Sequence, residues 1–330
     1  MEKQPKKSSS HQPKQSVRFV EVDNGHEGQR IDNFLMRELK DVPRSYVYRI
    51  LRKGEVRVNK KRVKPVYKLK IGDNVRIPPV FLPEKVDQGL APKALLEKLK
   101  AAVILEDDDL IFINKPSGLA VHGGSGVKHG LIETFRQLRP DLSFIELVHR
   151  LDKETSGIVM LAKNRQALLA LHEMMKQGGI NKFYQTLAKG KWHGGRRHIK
   201  NNLERKQGRQ QKVQVVASAE SKSAKQAESI FSPLHVYTDY SLLKVELLTG
   251  RMHQIRTQLA DLGHPVVGDS QYGDFAFNRD TKKRHGLKRL FLHDYYLSFT
   301  LASNAKKYRI EIPLAEDLTT VIEKIESQNV

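Results

Sequence analysis

The apolar positions of this chain change rhythm along its length. From Met1 to about Ser16 there is no rhythm: Lys, Ser, Gln and Pro alternate without apolar periodicity, the composition of a disordered basic tail. Regular spacing starts near Gly28. Ile31, Phe34, Leu35 and Leu39 recur at helical intervals, and Asp41-Val42-Pro43 ends that helix. Pro43 suits the first turn of a second helix, which runs through Tyr46, Val47, Ile50 and Leu51 to a stop at Gly54. Beyond it Val56 and Val58, then Val63, Val66 and Leu69, then Val75 and Ile77 alternate as short strands, with turns at Asn59-Lys60 and Gly72-Asp73. The pattern predicts a small αβ module over residues 17–80.

Pro78-Pro79 and Pro83 then open a polar stretch with one short helix, 93–100, which reads as a linker over residues 81–102. In residues 103–330, strand-like runs at 110–113, 158–161, 242–248, 290–292 and 308–312 mix with helices near 131–138, 165–176 and 253–262. Their irregular order predicts one α+β domain rather than repeated βαβ units, and no repeat recurs at a fixed period.

Composition narrows the partners. Of 330 residues 39% are apolar, enough for a core, and 58 Lys+Arg against 37 Asp+Glu leave a net charge of +21. Such a field concentrates polyanions, above all nucleic acid. A membrane surface would call for a basic amphipathic helix with a strong apolar face, no run approaches the roughly 20 apolar residues of a spanning helix, and no signal peptide opens the chain. The absence of cysteine removes disulfides and Cys-based zinc sites, and fits a cytoplasmic protein. Between Glu27 and Val80 stand fifteen Lys/Arg against six Asp/Glu. Charge runs are usually only a solvated face. Here they crowd the second helix and the turns after it (Arg44, Arg49, Arg52, Lys53, Arg57, Lys60, Lys61, Arg62, Lys64), which favours a surface for an RNA backbone.

The segment richest in possible chemistry is His149-Arg150-Leu151-Asp152-Lys153-Glu154-Thr155-Ser156-Gly157, running into the apolar 158–161. A carboxylate at a turn-to-strand junction can be both partly desolvated and reachable. An Asp before Thr-Ser-Gly is nevertheless more often a turn-former than a catalyst. The order His-Arg-Leu-Asp is not that of a protein-kinase catalytic loop, and no Gly-rich phosphate loop precedes it. Gly123-Gly124-Ser125-Gly126-Val127-Lys128 lacks the spacing of a phosphate loop and reads as a mobile loop, with an anion-binding nest the alternative. No histidine pair has metal-ligand spacing.

Two resemblances change these odds. Gly28-Gln-Arg-Ile-Asp-Asn-Phe-Leu35, Pro43-Arg-Ser-Tyr-Val-Tyr-Arg-Ile-Leu-Arg-Lys-Gly54 with Glu55-Val-Arg-Val-Asn59, and Ile71-Gly-Asp-Asn-Val-Arg-Ile77 resemble an S4 domain, an RNA-binding module whose implied face is the second helix and the following turn. That would place Arg49, Arg52, Arg57 and Lys60 on RNA. The turn is Asn59-Lys60 where many members have Asn-Gly, so a type I′ geometry is less well supported by sequence. The His149–Gly157 string is similar to the signature of the pseudouridine synthase family that includes bacterial ribosomal enzymes of the RluA type. Ile113-Asn-Lys115-Pro116-Ser-Gly118-Leu-Ala-Val-His122, Lys182-Phe-Tyr184-Gln-Thr-Leu-Ala-Lys-Gly190, and Thr249-Gly-Arg251-Met-His253-Gln-Ile-Arg256 followed by Gly263-His-Pro265 and Gly268-Asp-Ser-Gln-Tyr-Gly273 match further motifs in the family's order. Lys225 to Phe231 matches more weakly.

The resemblance implies a small S4-like domain joined by a linker to a mixed, largely antiparallel-sheet catalytic domain, acting as a monomer on 23S ribosomal RNA or the assembling large subunit, with no nucleotide cofactor and no metal. It implies that Asp152 is the essential carboxylate, acting as nucleophile at sugar or base, or as a base on the sugar. Tyr184 would stack on the uracil and serve the late proton transfer from C5. Arg256 would pair with Asp152, with Arg251 the alternative partner or a phosphate contact. Arg150 would fill the gap left by a flipped nucleotide. His149 and His253 read as structural. Met252 stands where many relatives have Thr or Ser. The basic stretch 192–211 hardly matches the family, and reads as a loop that either grips RNA or is solvated. The competing classes are a non-catalytic RNA-binding assembly factor and a nucleoside glycosidase, which would need a second carboxylate to activate water.

Overall fold

A computed structural model describes residues 16–39, 42–79, 89–123, 128–205, 212–216, 223–301 and 305–328. Residues 1–15 of the expected tail, most of the Gly123–Lys128 loop and positions 206–211 lie outside these. The chain forms two compact units, Met1–Gln88 and Gly89–Val330.

In the first unit, strand β1 (Arg18–Glu21) precedes helices α1 (Ile31–Glu38) and α2 (Arg44–Lys53), then β2 (Arg57–Val58) and β3 (Asn74–Ile77). Helix α2 ends at Gly54, whose left-handed φ of 70° lets its N–H reach the carbonyls of Ile50 and Leu51. The described strands form an antiparallel sheet in the order β1-β3-β2. One sheet face and both helices close a core of Ile31, Phe34, Leu35, Val47, Ile50, Leu51, Val58, Val75 and Ile77. Three details differ from expectation. Strand β1 lies ahead of the first periodic helix, because β3 offers it a free edge that the local pattern does not show. Residues 63–69 make only an isolated bridge, Arg30 to Lys68, instead of a strand. The Asn59-Lys60 turn does adopt type I′ geometry, both residues having positive φ (48° and 65°). Asn59 meets that conformation with its side chain, which donates to Asp73 at 2.7 Å and accepts from the Asn74 N–H at 2.9 Å.

The second unit begins with α3 (Lys93–Ala101), within the expected linker. Its Leu99 is buried in the main core of this unit, so the helix belongs to it. Then come β4 (Val103–Glu106), β5 (Leu110–Lys115), α4 (Leu131–Leu138), β6 (Glu146–Leu147), β7 (Ser156–Ala162), α5 (Arg165–Gln177), β8 (Asn181–Lys189), β9 (Arg197–Arg205), β10 (Val213–Val216), β11 (Lys225–Val236), β12 (Tyr240–Leu247), α6 (Gln254–Asp261), α7 (Phe275–His285), β13 (Leu292–Leu301), β14 (Lys306–Glu311) and α8 (Glu316–Ser327). Among the described residues eleven strands share one sheet, ordered β10-β9-β11-β12-β8-β13-β7-β5-β4, with β14 on β13 and β6 on β7. Among the described strands only β13 and β7 run parallel. The mixed, largely antiparallel α+β architecture is the one expected. The basic stretch read as a loop contains strand β9, whose pairing with β10 and β11 extends the sheet; its alternation of charged and half-buried residues hid it. Helices α7 and α8 were not anticipated; α7 has little apolar periodicity, whereas α8 repeats Leu318, Val321, Ile322 and Ile325 at helical spacing, a signal that the reading of the chain passed over. No helix among the described residues is long and apolar enough to cross a membrane.

Where β7 meets β13, the fold demands glycine. Gly157 has φ +118°, and a Cβ there would lie 2.1 Å from the Asp294 carbonyl oxygen. The same junction buries His293, whose Nδ1 lies 2.9 Å from the Ser156 hydroxyl and whose Nε2 lies 3.0 Å from the Pro313 carbonyl. Donating to Pro313 and accepting from Ser156, it is neutral, and burial pushes its pKa from 6.5 down to about 4. The unfolded chain therefore binds a proton here below pH 6.5 that the folded one refuses. The contribution of His293 to stability is whole above pH 6.5 and falls by up to about 3 kcal/mol as the pH drops towards 4. His293→Gln, which does not titrate, is expected to flatten that decline in urea unfolding followed by Trp192; an equally steep decline would exclude His293 as its source.

Candidate active site

The loop between β6 and β7 carries Asp152, and it is tied down from the end of β5. Lys115 is fully buried, and its ammonium donates to the carbonyls of Pro116 (3.0 Å), Leu119 (2.8 Å) and Lys153 (3.1 Å). Burial pushes this lysine down to about 7, against the opposing pull of Glu154 and Asp152. Ser117 donates to the Glu154 carbonyl (2.7 Å), and Gly118 N–H to that of Lys153 (2.9 Å). Lys115-Pro-Ser-Gly118 thus fixes the backbone on which Asp152 sits.

Opposite it, the Thr249–Arg256 segment enters α6 through His253, a non-glycine residue at φ +54°. The turn is held by buried Gln254, which accepts from Thr249 Oγ1 (2.8 Å) and the Arg251 N–H (2.9 Å), and donates to the Glu228 carbonyl (3.0 Å) and Ser229 Oγ (2.8 Å). This clamp aims Arg256 at two carboxylates. Its Nη1 lies 3.1 Å from Asp152 Oδ2, while Nε and Nη2 make a two-pronged contact with Asp269 at 2.7 and 2.9 Å. Burial alone would raise the Asp269 carboxyl, but Arg256 and the N–H groups of Tyr272 and Gln271 bring it below its ordinary value. Tyr272 covers the Arg256 guanidinium, its ring centroid 5.1 Å away.

Tyr184 projects from the middle of β8, directly across from Asp294 on β13. Burial, with Asp294 opposite, raises its hydroxyl well above the usual range, so it stays protonated. Asp294 is itself fully buried, and burial pushes its carboxyl up to about 8 against the attraction of Tyr184 and Lys182. Its oxygens have no hydrogen bond of ordinary geometry among the described residues. Burial also lowers Lys182. His149 is neutral, pushed down to about 3 by burial, and its Nε2 accepts the Met160 N–H at 3.2 Å.

Asp152, Tyr184, Arg256, Arg150 and Arg251 line one cavity of about 290 Å3. Arg150 is exposed beside it. Arg251 does not reach Asp152; its Nε donates to the Gln226 carbonyl at 2.9 Å. His253, read as structural, stands nearer the chemistry than expected, with Nε2 3.8 Å from Asp152 Oδ2 and Nδ1 2.8 Å from the Tyr272 hydroxyl. Met252 takes a contact from Arg205 Nη2 (3.1 Å to sulfur), which brings the end of β9 to the cavity rim. In the first unit Arg49, Arg52, Arg57 and Lys60 are all exposed. Arg57 and Lys60 share a second cavity from which Arg49 and Arg52 are absent. Among the described residues no group of three or more His, Asp or Glu side chains is placed to hold a metal.

Sequence reasoning assigned no role to Asp269, Gln254, Lys115 or Asp294. For Asp269 a signal existed: an arginine buried beside a reactive carboxylate needs further acceptors, and Gly268-Asp269 stands in the same motif region. For Asp294 the signal was a lone acid in the apolar run Leu290-Phe-Leu-His-Asp294.

The model for the RNA pseudouridylate synthase family matches residues 109–261, and that for the S4 domain residues 29–75. The chain is 44% identical over 316 residues to ribosomal large subunit pseudouridine synthase C of Escherichia coli (strain K12), covering 94% of this chain and 97% of the relative. It is likewise 44% identical over 312 residues to the enzyme of that name from Vibrio vulnificus, covering 94% and 96%. Among solved structures, human RNA pseudouridylate synthase domain containing 4 superposes with a TM-score of 0.59 at 22% identity, over 71% of this chain and 96% of that one, a likeness of fold.

Proposed function

Because this chain belongs to the RNA pseudouridylate synthase family, we propose that it isomerises specific uridines to pseudouridine in large-subunit (23S) ribosomal RNA. The observation that carries the reading is the convergence of Asp152, Arg256 and Tyr184 on one small cavity in a strongly basic protein. The reaction breaks the C1′–N1 bond, turns the base and rejoins it through C5. Nothing is oxidised and the sugar is not passed to water; the proton lost from C5 goes to solvent and N1 gains one in exchange. One carboxylate suffices, as nucleophile at sugar or base or as a base on the sugar, and Asp152 is the carboxylate that lines the cavity. The other acid near Arg256, Asp269, is fully buried and engaged, so it cannot activate water as a glycosidase would require.

A cavity of about 290 Å3 has room for one nucleoside and none for a stacked helix, so the target nucleotide must leave its stack. Arg150, exposed at the rim, would occupy the gap it leaves. Tyr184 forms the cavity wall, and its hydroxyl enters the reaction protonated rather than as a phenolate. Release of tritium from 5-tritiated uridine in ribosomal RNA tests the activity, since C5 loses its hydrogen in the product.

Tyr184→Phe keeps the ring and removes the hydroxyl. Turnover is expected to fall by about a hundredfold or more, with RNA affinity nearly unchanged. A collapse in affinity with a normal rate per bound complex would make Tyr184 a packing element.

A further inference from the structure

The small sheet of the first unit turns one face to its core and the other outward. On the outward face Phe19 of β1 stands opposite Arg76 of β3, and Arg76 opposite Arg57 of β2. Cross-strand partners project to the same side, so an aromatic ring and two guanidinium groups stand abreast. Val75 and Ile77, their neighbours in β3, point the other way into the core. Phe19 is 64% exposed, an unusual place for a phenylalanine within a strand. Together with Lys53, Lys60 and Arg62 the row lines a concavity of about 950 Å3, whose walls carry five cations and a single carboxylate, Glu55. The cations have few prior commitments. Among the described residues Arg57 makes only long contacts to the Gly54 and Lys60 carbonyls, both 3.4 Å, Lys53 has a 3.8 Å ion pair with Glu55, and Arg76 donates to the Glu55 carbonyl at 2.7 Å. Gly54 makes room for Arg62: a Cβ there would lie 2.2 Å from the Arg62 Nε.

An exposed ring flanked by cations is the arrangement on which an unpaired base stacks while its phosphates are held at the sides. A duplex offers phosphates but no free base face. An acidic protein segment offers charge but nothing that needs the ring. Phe19 and Arg76 lie outside the residues matched by the S4 model, while Arg57 lies within them, so the stacking ring extends a basic edge of that module. We propose that this face binds single-stranded RNA, one base lying on Phe19 and the adjoining phosphates held by Arg57, Lys60 and Arg62. The proposal deepens the reading of the chain as an RNA-modifying enzyme and rests on it.

The test measures binding of the full-length protein to fluorescein-labelled decauridylate, to an RNA duplex of the same length and to a labelled deca-glutamate peptide. Phe19→Ala is expected to weaken decauridylate binding about fivefold or more, leave duplex binding and the slope of affinity against salt unchanged, and be rescued by Phe19→Trp. The double variant Arg57→Gln/Lys60→Gln is expected to flatten the log–log salt slope by about 1.4, two phosphate contacts at about 0.7 each. Cross-linking of 4-thiouridine in the decamer to the peptide containing Phe19 locates the contact. Parental affinity in Phe19→Ala overturns the proposal, as does equal loss on the duplex, or Phe19-dependent binding of the glutamate peptide in place of RNA. Tritium release by the parent enzyme is read separately, so a failed catalytic reading is distinguishable from a failed binding site.

Discussion

Asp152→Asn is expected to abolish isomerisation, lowering turnover by about ten-thousandfold or more while RNA binding stays within a few-fold of the parent. The amide has the shape of the carboxylate, and its oxygen can still accept from Arg256. Arg256 keeps its place because Asp269 holds Nε and Nη2 independently of Asp152. The loop keeps its course because Lys115, Ser117 and Gly118 hold it by backbone carbonyls, none of which the substitution touches. What disappears is the negative charge that attacks or removes a proton. Tritium release together with filter binding of the same RNA would report both quantities, and an active asparagine variant would sink the mechanism.

Arg256→Met should damage both fold and chemistry. Asp269 is fully buried, and without Arg256 it keeps only the backbone N–H groups of Gln271 and Tyr272, at 2.8 and 3.0 Å. Removing one partner of such a pair leaves an uncompensated buried charge, at a cost of about 3–5 kcal/mol. Denaturant unfolding followed by Trp192, the single tryptophan and buried in the second unit, should show that loss. Adding Asp269→Asn removes the stranded charge, so Arg256→Met/Asp269→Asn should recover most of the stability and none of the activity, because Asp152 still lacks its guanidinium. If the double variant regains turnover, Arg256 serves only to neutralise Asp269. Lysine is no substitute, since one ammonium cannot span both carboxylates with the geometry of a planar fork.

Much of this protein was legible in the order of its residues. The helical spacing from Ile31 to Leu51, the Gly54 stop and the apolar runs at 110–113 and 158–161 are local properties, set by side-chain periodicity and by the freedom of one glycine, and the structure has helices and strands at those places. The four motif segments were visible as strings. Why they are spaced as they are was not. Lys115 and Lys153 are 38 residues apart in the chain and joined by one hydrogen bond, and Asp152 and Arg256 are 104 apart.

Strand β1 was invisible because four residues of alternating exposure form a strand only where another strand offers its edge. Strand β9 was invisible because its charges face outward while its pairing partners lie later in the chain. The Asn59-Lys60 turn shows the same division: Lys has no preference for positive φ, and the hydrogen bonds of Asn59 to Asp73 and Asn74 impose it. By itself the sequence determined the local elements, the basic field and the reactive residue types, since these depend on neighbours in the chain. The tertiary structure alone decided that Asp269 meets Arg256 beside Asp152, which acid lies buried behind Tyr184 and which cations surround Phe19. Such meetings depend on sheet register and burial, and both are set by contacts between segments far apart in sequence.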